Sequence, residues 1–205
     1  MMLTSAEPKG KSLVTLFIDG EKAADLDAEI YVQSGLHLGD SLDDGQLHRL
    51  LLASDTRRAE RKAMNLLGYR AHSEKELARK LNRTVPPEAA ARAAAKMTEL
   101  GLVNDEEYAS SLARELFSRK GFAARRVCIE LVRRGIPRGT AERAAAAAAP
   151  EDARAAAKAV LEKKYARCLG EEKGRRRAAA ALQRMGYGWD DIRGAIRELT
   201  TDEDE

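Results

Sequence analysis

The sequence predicts a mostly α-helical protein: three tandem three-helix repeats that form an elongated curved bundle after a small N-terminal leader. Three observations support this fold class. Alanine, leucine, arginine and glutamate dominate while aromatic residues make up only 4%, a composition that favours helices packed through small side chains. Apolar residues recur at helical spacing from about residue 55 onward. A segment of the chain also recurs after 51 residues, which indicates a repeat protein.

The leader, assigned to residues 1–54, contains a predicted β-hairpin. Leu13–Ile18 is β-prone, and the Asp19-Gly20 dipeptide after it suits the positive φ values of a tight turn. Ala23–Leu26 is the expected return strand. Because an isolated hairpin is marginal in water, we expect it to pack on a helix, for which Glu29–Ser34 closed by Gly35 is the candidate. Polar residues typical of a helix start follow: Ser41, Asp43 and Asp44.

The repeat is clearest where Arg125–Ile136 is aligned with Arg176–Tyr187. A looser copy at Lys75–Arg83 is offset by 50 residues from the Arg125–Ile136 copy. A single three-helix unit is too small to bury much apolar surface, so the units are expected to pack against each other. Their predicted ranges are 55–104, 105–150 and 151–200, with an acidic tail at 201–205.

Each repeat is expected to contain three helices with a break before the last one. Ser73 and Glu76 form a predicted capping box in the first repeat, and Gly135 and Gly186 end the middle helices of the other two. The predicted helices span 57–67, 73–82 and 86–100, then 105–119, 123–134 and 138–149, then 151–168, 175–185 and 190–199.

The charge is unevenly distributed along the chain. Residues 1–54 carry 4 basic and 9 acidic side chains, residues 55–201 carry 32 basic and 20 acidic ones, and the last four residues are acidic. A basic helical body suits contact with DNA, RNA or an acidic protein surface. The alternative is that the extra cations only solvate exposed helices.

The sequence shows no signature of an enzyme or of a bound cofactor. The three histidines, His37, His48 and His72, have no partner at the spacing of a metal site or a catalytic triad. Cys128 and Cys168 are not in a metal-binding spacing, and no glycine-rich nucleotide loop occurs. No signal peptide and no apolar stretch of about 18 residues is present. A cytoplasmic protein without membrane contact is therefore expected.

Arginines at equivalent repeat positions are the main binding candidates. Arg126 and Arg133 are seven residues apart and share a helix face, as do Arg177 and Arg184. Together they could form one basic strip that meets phosphate or an acidic surface, unless they serve only as a solvated face. The full set of candidates is Arg70, Arg79, Lys80, Arg125, Arg126, Arg133, Arg175, Arg176, Arg177 and Arg184.

Aromatic residues offer a second kind of contact, since they can stack on the bases of a single strand. Four of the five in question sit in or next to apolar helical patterns, so core packing is expected for most of them. The least clear case is Tyr69, beside Arg70. The five residues are Tyr69, Tyr108, Tyr165, Tyr187 and Trp189.

Three segments of the triple repeat carry a family resemblance, in this order: Ser73–Leu81, Leu100–Ala109 and Glu130–Ile136. They resemble the RecX family of regulators. The hairpin followed by Gly35–Leu42 is similar to the leader of longer members. The chain departs from the family pattern in having Val85-Pro86-Pro87, without a glycine, after Leu81. It also departs at Ala144–Ala149, a run without any large apolar side chain.

The resemblance implies a monomeric bundle of nine helices that lodges in the groove of a RecA filament. It further implies inhibition of homologous recombination, of ATP hydrolysis and of the co-protease role in the SOS response to DNA damage. Weak, non-specific contact with single- or double-stranded DNA is a secondary expectation. Two alternatives stay open: a DNA- or RNA-binding helical module that acts without RecA, and a helical-repeat adaptor with no link to nucleic acid.

Overall fold

The computed structural model describes residues 1–201, which divide into two compact units, one spanning residues 1–104 and one from residue 105 onward. The predicted mostly helical class with a small N-terminal β leader is confirmed, because helices dominate both units and the strands are confined to the N-terminal leader. The predicted acidic tail lies, from residue 202 onward, outside the described residues. No helix in the described part of the chain is long and apolar enough to cross a membrane.

The leader is a three-stranded antiparallel sheet rather than a two-stranded hairpin. Its strands are β1 (Leu3–Lys9), β2 (Leu13–Ile18) and β3 (Glu21–Asp27), in the order β1-β2-β3. The predicted turn is present, with φ values of 49° at Asp19 and 85° at Gly20. β1 was missed because it is an edge strand in which Leu3 is the only fully buried residue. Its sequence therefore lacks the alternation that marks a half-buried strand.

Two helices follow, α1 (Ala28–Ser34) and α2 (Asp44–Tyr69), and α2 serves both the leader and the first repeat. Its first half packs against the sheet through Leu47, Leu50 and Leu51, and its second half contributes Ala59 and Ala63 to the core of the first repeat. The predicted boundary between residues 54 and 55 thus lies inside one continuous helix. No proline interrupts α2, so helix propagation is not broken where the packing partner changes.

The buried carboxylate of Asp27 joins the sheet to α2. Asp27 is 1% exposed, caps the start of α1 and forms an ion pair with Arg61 of α2. The Asp27 backbone N–H also donates to Ser54 Oγ at 2.7 Å. The two bonds fix the register of α2 against β3, because each satisfies a polar group that burial would otherwise leave unpaired.

The first repeat is completed by α3 (Glu74–Leu81) and α4 (Pro87–Glu99). Ser73 caps α3 as predicted, its side chain accepting from the Glu76 backbone N–H at 3.1 Å. The core is built largely from alanines of α4 packed on the leucines of α3, a pairing that brings helix backbones close together. Its fully buried members include Leu77, Leu81, Ala89, Ala90, Ala93 and Ala94.

The second repeat contains α5 (Asp105–Glu115), α6 (Ala124–Arg133) and α7 (Arg138–Ala148). A π-helical turn, Leu116–Lys120, ends the first of these helices. Three alanines of α7 are buried in the core of this repeat: Ala141, and Ala144 and Ala145 of the alanine run.

The third repeat contains α8 (Ala153–Tyr165), α9 (Glu172–Arg184) and α10 (Trp189–Thr201). The 51-residue periodicity seen in the sequence is confirmed by burial and backbone conformation. Leu131 and Leu182 are both 0% exposed, and the paired glycines that follow have φ values of 91° (Gly135) and 94° (Gly186). These glycines stop equivalent helices in the left-handed conformation that disfavours other residues.

Candidate partner-binding surface

Direct hydrogen bonds join the second and third repeats. The Ala123 backbone N–H, just before α6, donates to the Met185 carbonyl at 2.9 Å. The Tyr187 hydroxyl donates to the Gly121 carbonyl at 3.1 Å. Burial raises the pKa of Tyr187, and the nearby carboxylate of Asp191 acts in the same direction. The phenol therefore stays protonated at neutral pH and keeps this bond.

Gly186 allows the two repeats to approach backbone to backbone. A Cβ on Gly186 would lie 2.8 Å from the Cβ and 2.9 Å from the backbone nitrogen of Arg126. The Arg126 side chain packs beside this contact, with its guanidinium 5.6 Å from the centre of the Phe122 ring and 2.6 Å from Glu130. Arg126 is therefore part of the joint between repeats, not a free surface cation.

A groove of about 500 Å³ opens over this joint, and we call it the basic groove. Arg125 of α6 and Arg184 of α9 are exposed and have no ion-pair partner among residues 1–201. Trp189, the first residue of α10, leaves 53% of its surface exposed beside them. The residues lining the groove are Arg125, Arg126, Ile129, Gln183, Arg184, Gly186, Tyr187, Gly188 and Trp189.

A second concave surface, the basic pocket, lies where α8 ends. It is lined by residues 162–168 and Arg177. Its cations are Lys163, Lys164, Arg167 and Arg177, all exposed. Because Arg177 and Arg184 are two helical turns apart on one face of α9, this face connects the pocket to the basic groove. Lys173, one turn before Arg177, extends it, and we call these three residues the cationic face of α9.

The other arginine candidates of these two repeats are held by neighbouring groups. Arg133 is 3.4 Å from Glu130, and Arg176 is 2.5 Å from Glu172. Arg175 Nη1 donates to the carbonyls of Leu169 and Gly170, both at 3.0 Å, and so closes the loop before α9. The structure therefore does not bring Arg126, Arg133, Arg177 and Arg184 into one strip. It places Arg184 in the groove and Arg177 in the pocket.

In the first repeat, two of the three candidates are engaged in a buried polar cluster. Arg70 binds Glu76 at 2.5 Å and the Ala71 carbonyl at 2.7 Å. Lys80 Nζ lies 2.9 Å from His72 Nε2, and His72 Nδ1 lies 2.9 Å from the Arg70 carbonyl. Burial lowers the pKa of His72, so the neutral ring accepts from Lys80 and donates to that carbonyl. Arg79 is exposed on α3.

Sequence reasoning named Trp189 among five aromatic candidates but favoured core packing for most of them. It missed four cations around α8 and α9: Lys163, Lys164, Arg167 and Lys173. The prediction of core packing holds for Tyr187, which is 7% exposed, but Trp189 and Tyr69 are 53% and 88% exposed. Spacing carried a usable signal for Lys173 and Arg177, which are four residues apart on one face of α9. Arg167, four residues after Lys163, lies instead in a 3-10 turn that follows the end of α8. No periodicity distinguishes an exposed tryptophan at a helix start from a buried one.

The fold and this surface define a helical-repeat protein whose three-helix units carry a cluster of exposed cations. Three family models match it in order: the first, second and third three-helix domains of RecX, over residues 59–97, 104–144 and 151–196. The matched segments cover more than half of the chain. The chain belongs to the RecX family of regulatory proteins.

Individual relatives agree with this assignment. The regulatory protein RecX of Bacillus subtilis is 26% identical over 205 residues, covering 98% of this chain and 77% of the relative. That of Caldanaerobacter subterraneus is 31% identical over 145 residues, covering 70% and 73%. That of Stenotrophomonas maltophilia strain K279a is 35% identical over 142 residues, covering 66% and 83%.

Solved structures share the fold. A crystal structure of a regulatory protein RecX superimposes with a TM-score of 0.65 and 20% identity, and covers 98% of both chains. RecX from Lactobacillus salivarius gives a TM-score of 0.62 and 23% identity, covering 73% of this chain and 99% of the other. The N-terminal sheet and the repeats thus have a counterpart in a protein of the same length range.

Proposed function

We propose that this protein binds the RecA filament and inhibits its recombination, ATPase and SOS co-protease activities. The observation that carries the proposal is the ordered match of three consecutive RecX domains. RecX regulators are understood to act on this filament, so the family assignment supplies the partner. The filament contains DNA, a polyanion, and the cationic surface of the second and third repeats complements it.

The charge around α9 supports this proposal. Residues 162–191, which span both concave surfaces, carry eight basic and five acidic side chains. Arg125 and Arg184 present planar guanidinium groups that bind carboxylate or phosphate through paired hydrogen bonds. Since neither has an ion-pair partner among the described residues, no internal ion pair has to break when an external anion binds.

The proposal predicts that equimolar or smaller amounts of this protein lower the ATPase rate of RecA assembled on single-stranded DNA, and lower strand exchange. Occupation of the filament would hinder its growth or its conformational cycle. The measurement is the steady-state ATPase rate against protein concentration, with heat-denatured protein as the control. An ATPase rate that stays unchanged at saturating protein would reject RecA inhibition.

The second candidate is a non-specific DNA- or RNA-binding module that acts without RecA. The excess of cations around α9 favours it, because such a surface attracts any polyanion. Titrating the protein against DNA alone and against RecA filaments separates the two functions. Affinity for the filament well above that for naked DNA supports the regulator, and equal affinities support the module. Binding to neither supports the adaptor.

A further inference from the structure

We propose that the basic groove is a binding site for single-stranded nucleic acid. In this site the Trp189 indole stacks on a base, Arg125 and Arg184 hold the adjoining phosphates, and the cationic face of α9 leads the strand towards the basic pocket. This inference rests on the geometry of the second and third repeats and not on recognition of RecA. The single-strand site and the RecA interaction can therefore be rejected independently of each other.

The first step of the argument is the position of Trp189. An indole is among the largest apolar groups in proteins and normally contributes to a core. Here α10 instead buries Ile192 and Ala195, each 0% exposed, and leaves Trp189 at its first position with 53% of its surface in water. Gly188 next to it is also exposed and has no side chain, so it does not cover the indole. About half of the Trp189 surface is therefore available to a partner.

The second step is the placement of charge around that indole. Arg125 comes from α6 and Arg184 from α9, so the two cations line the same groove as Trp189 from different helices. Neither has an ion-pair partner within residues 1–201. An exposed aromatic ring that shares a groove with two unpaired guanidinium groups matches a strand in which each base is joined to phosphates.

The third step is the continuation of the charge along α9. The cationic face runs from Lys173 to Arg184, which are eleven residues apart in α9, a rise of roughly 16 Å. At its far end lies the basic pocket with Lys163, Lys164 and Arg167. This row of cations is long enough to bind several consecutive phosphates of one strand, whereas a single small anion would contact only one end of it.

These features favour a single strand over the other polyanions that cations attract. A duplex keeps its bases stacked inside, so its phosphates would be bound while the indole stayed without a partner. An acidic peptide would satisfy the arginines, but its carboxylates offer no flat apolar face to Trp189. Only a strand with unstacked bases uses both the charge and the indole.

The chain provides its own reporter, because Trp189 is its single tryptophan. We expect a deoxythymidine oligonucleotide, added to the full-length protein, to quench tryptophan fluorescence in a saturable manner that weakens steeply with salt. An abasic oligonucleotide of the same length retains the phosphates, so it is expected to bind at least about tenfold more weakly and with little quenching. Equal quenching by both, or by poly-glutamate, would overturn the stacking site.

Variants test the same contacts by anisotropy of a labelled oligonucleotide. Trp189→Leu is expected to weaken binding about tenfold or more, with Trp189→Phe intermediate because it keeps a ring. Arg125→Ala with Arg184→Ala should lower the slope of log affinity against log salt by about 1.4, two phosphate contacts at about 0.7 each. Arg138→Ala, an exposed arginine of α7 paired with Glu142, is the matched control and should leave both values unchanged.

Two outcomes would contradict the proposal. Affinity that is unchanged in Trp189→Leu, with wild-type circular dichroism, would show that the indole makes no contact. A double arginine variant with the wild-type salt slope would show that the phosphates bind elsewhere. The wild-type comparison between the thymidine and abasic strands needs no variant, so it decides the question even if a substituted chain folds poorly.

Discussion

Replacing Arg125, Arg177 and Arg184 together by glutamate is expected to reduce the potency of RecA inhibition at least tenfold without unfolding the protein. Each of these side chains is exposed, and none has an ion-pair partner in the described part of the chain. Their removal therefore breaks no ion pair among the described residues, while the new carboxylates repel a polyanionic partner. A tenfold loss requires only about 1.4 kcal/mol, which three reversed charges readily supply.

The measurement is the protein concentration that halves RecA ATPase, compared between wild type and variant at fixed salt. A charge-matched control reverses Arg92, Arg138 and Arg143, which are exposed but paired with Glu88, Glu142 and Glu106. Surface pairs of this kind contribute about 0 to 1 kcal/mol each, so this control should fold and inhibit normally. Equal inhibition by the variant and the wild type would place the binding surface elsewhere, for instance around Arg79.

Arg126 is left out of this triple variant because the structure gives it a different role. Its guanidinium packs over Phe122 and pairs with Glu130, and its backbone contacts Gly186. Arg126→Glu would place two carboxylates side by side in the joint between repeats. We expect that substitution to reduce stability, so a loss of inhibition in it would not report on the binding surface.

Replacing Gly186 by alanine is expected to lower the free energy of unfolding of the second unit by about 2 to 5 kcal/mol. Two effects add up. The φ of 94° costs an L-residue about 1 to 2 kcal/mol, and the new Cβ would lie 2.9 Å from the backbone nitrogen of Arg126. The backbone cannot relieve this clash by a rotamer change, as a side chain can. Overpacking of this kind costs about 1 to 3 kcal/mol.

Gly101→Ala separates the two effects. Gly101 also has a positive φ, 70°, but a Cβ there would meet nothing within 4 Å. Gly101→Ala should therefore lower the free energy of unfolding only by the cost of the positive φ, about 1 to 2 kcal/mol. Urea unfolding followed by circular dichroism measures both variants. If Gly186→Ala loses no more stability than Gly101→Ala, the close approach of α6 to the turn before α10 does not hold in solution.

Local features of the chain were predictable because they depend on neighbours in sequence. The hairpin turn at Asp19-Gly20, the cap at Ser73 and the stops at Gly135 and Gly186 each follow from the conformational preference of one or two residues. The repeated leucines, Leu131 and Leu182, were recognisable because core positions recur with the helical period. β1 was not, since an edge strand with one buried residue carries almost no periodic signal.

Composition, helical periodicity and the 51-residue repeat were enough to establish the helical class, the repeats and the abundance of cations. Which of these cations lack an ion-pair partner is visible only in the folded chain. Arg125 and Arg126 are adjacent in the chain and both line the groove, yet Arg125 has no ion-pair partner among the described residues while Arg126 packs over Phe122 and pairs with Glu130. The same holds for Tyr187, which is buried and bonded to Gly121, and Trp189, which is exposed two residues later. Burial depends on backbone and side chains that come from other helices, as the Tyr187 bond to Gly121 shows, and local spacing does not reveal them. The ion pairs of Arg126, Arg133 and Arg176 lie within about one turn of their own helices, so spacing permits these pairs but does not decide which of them form.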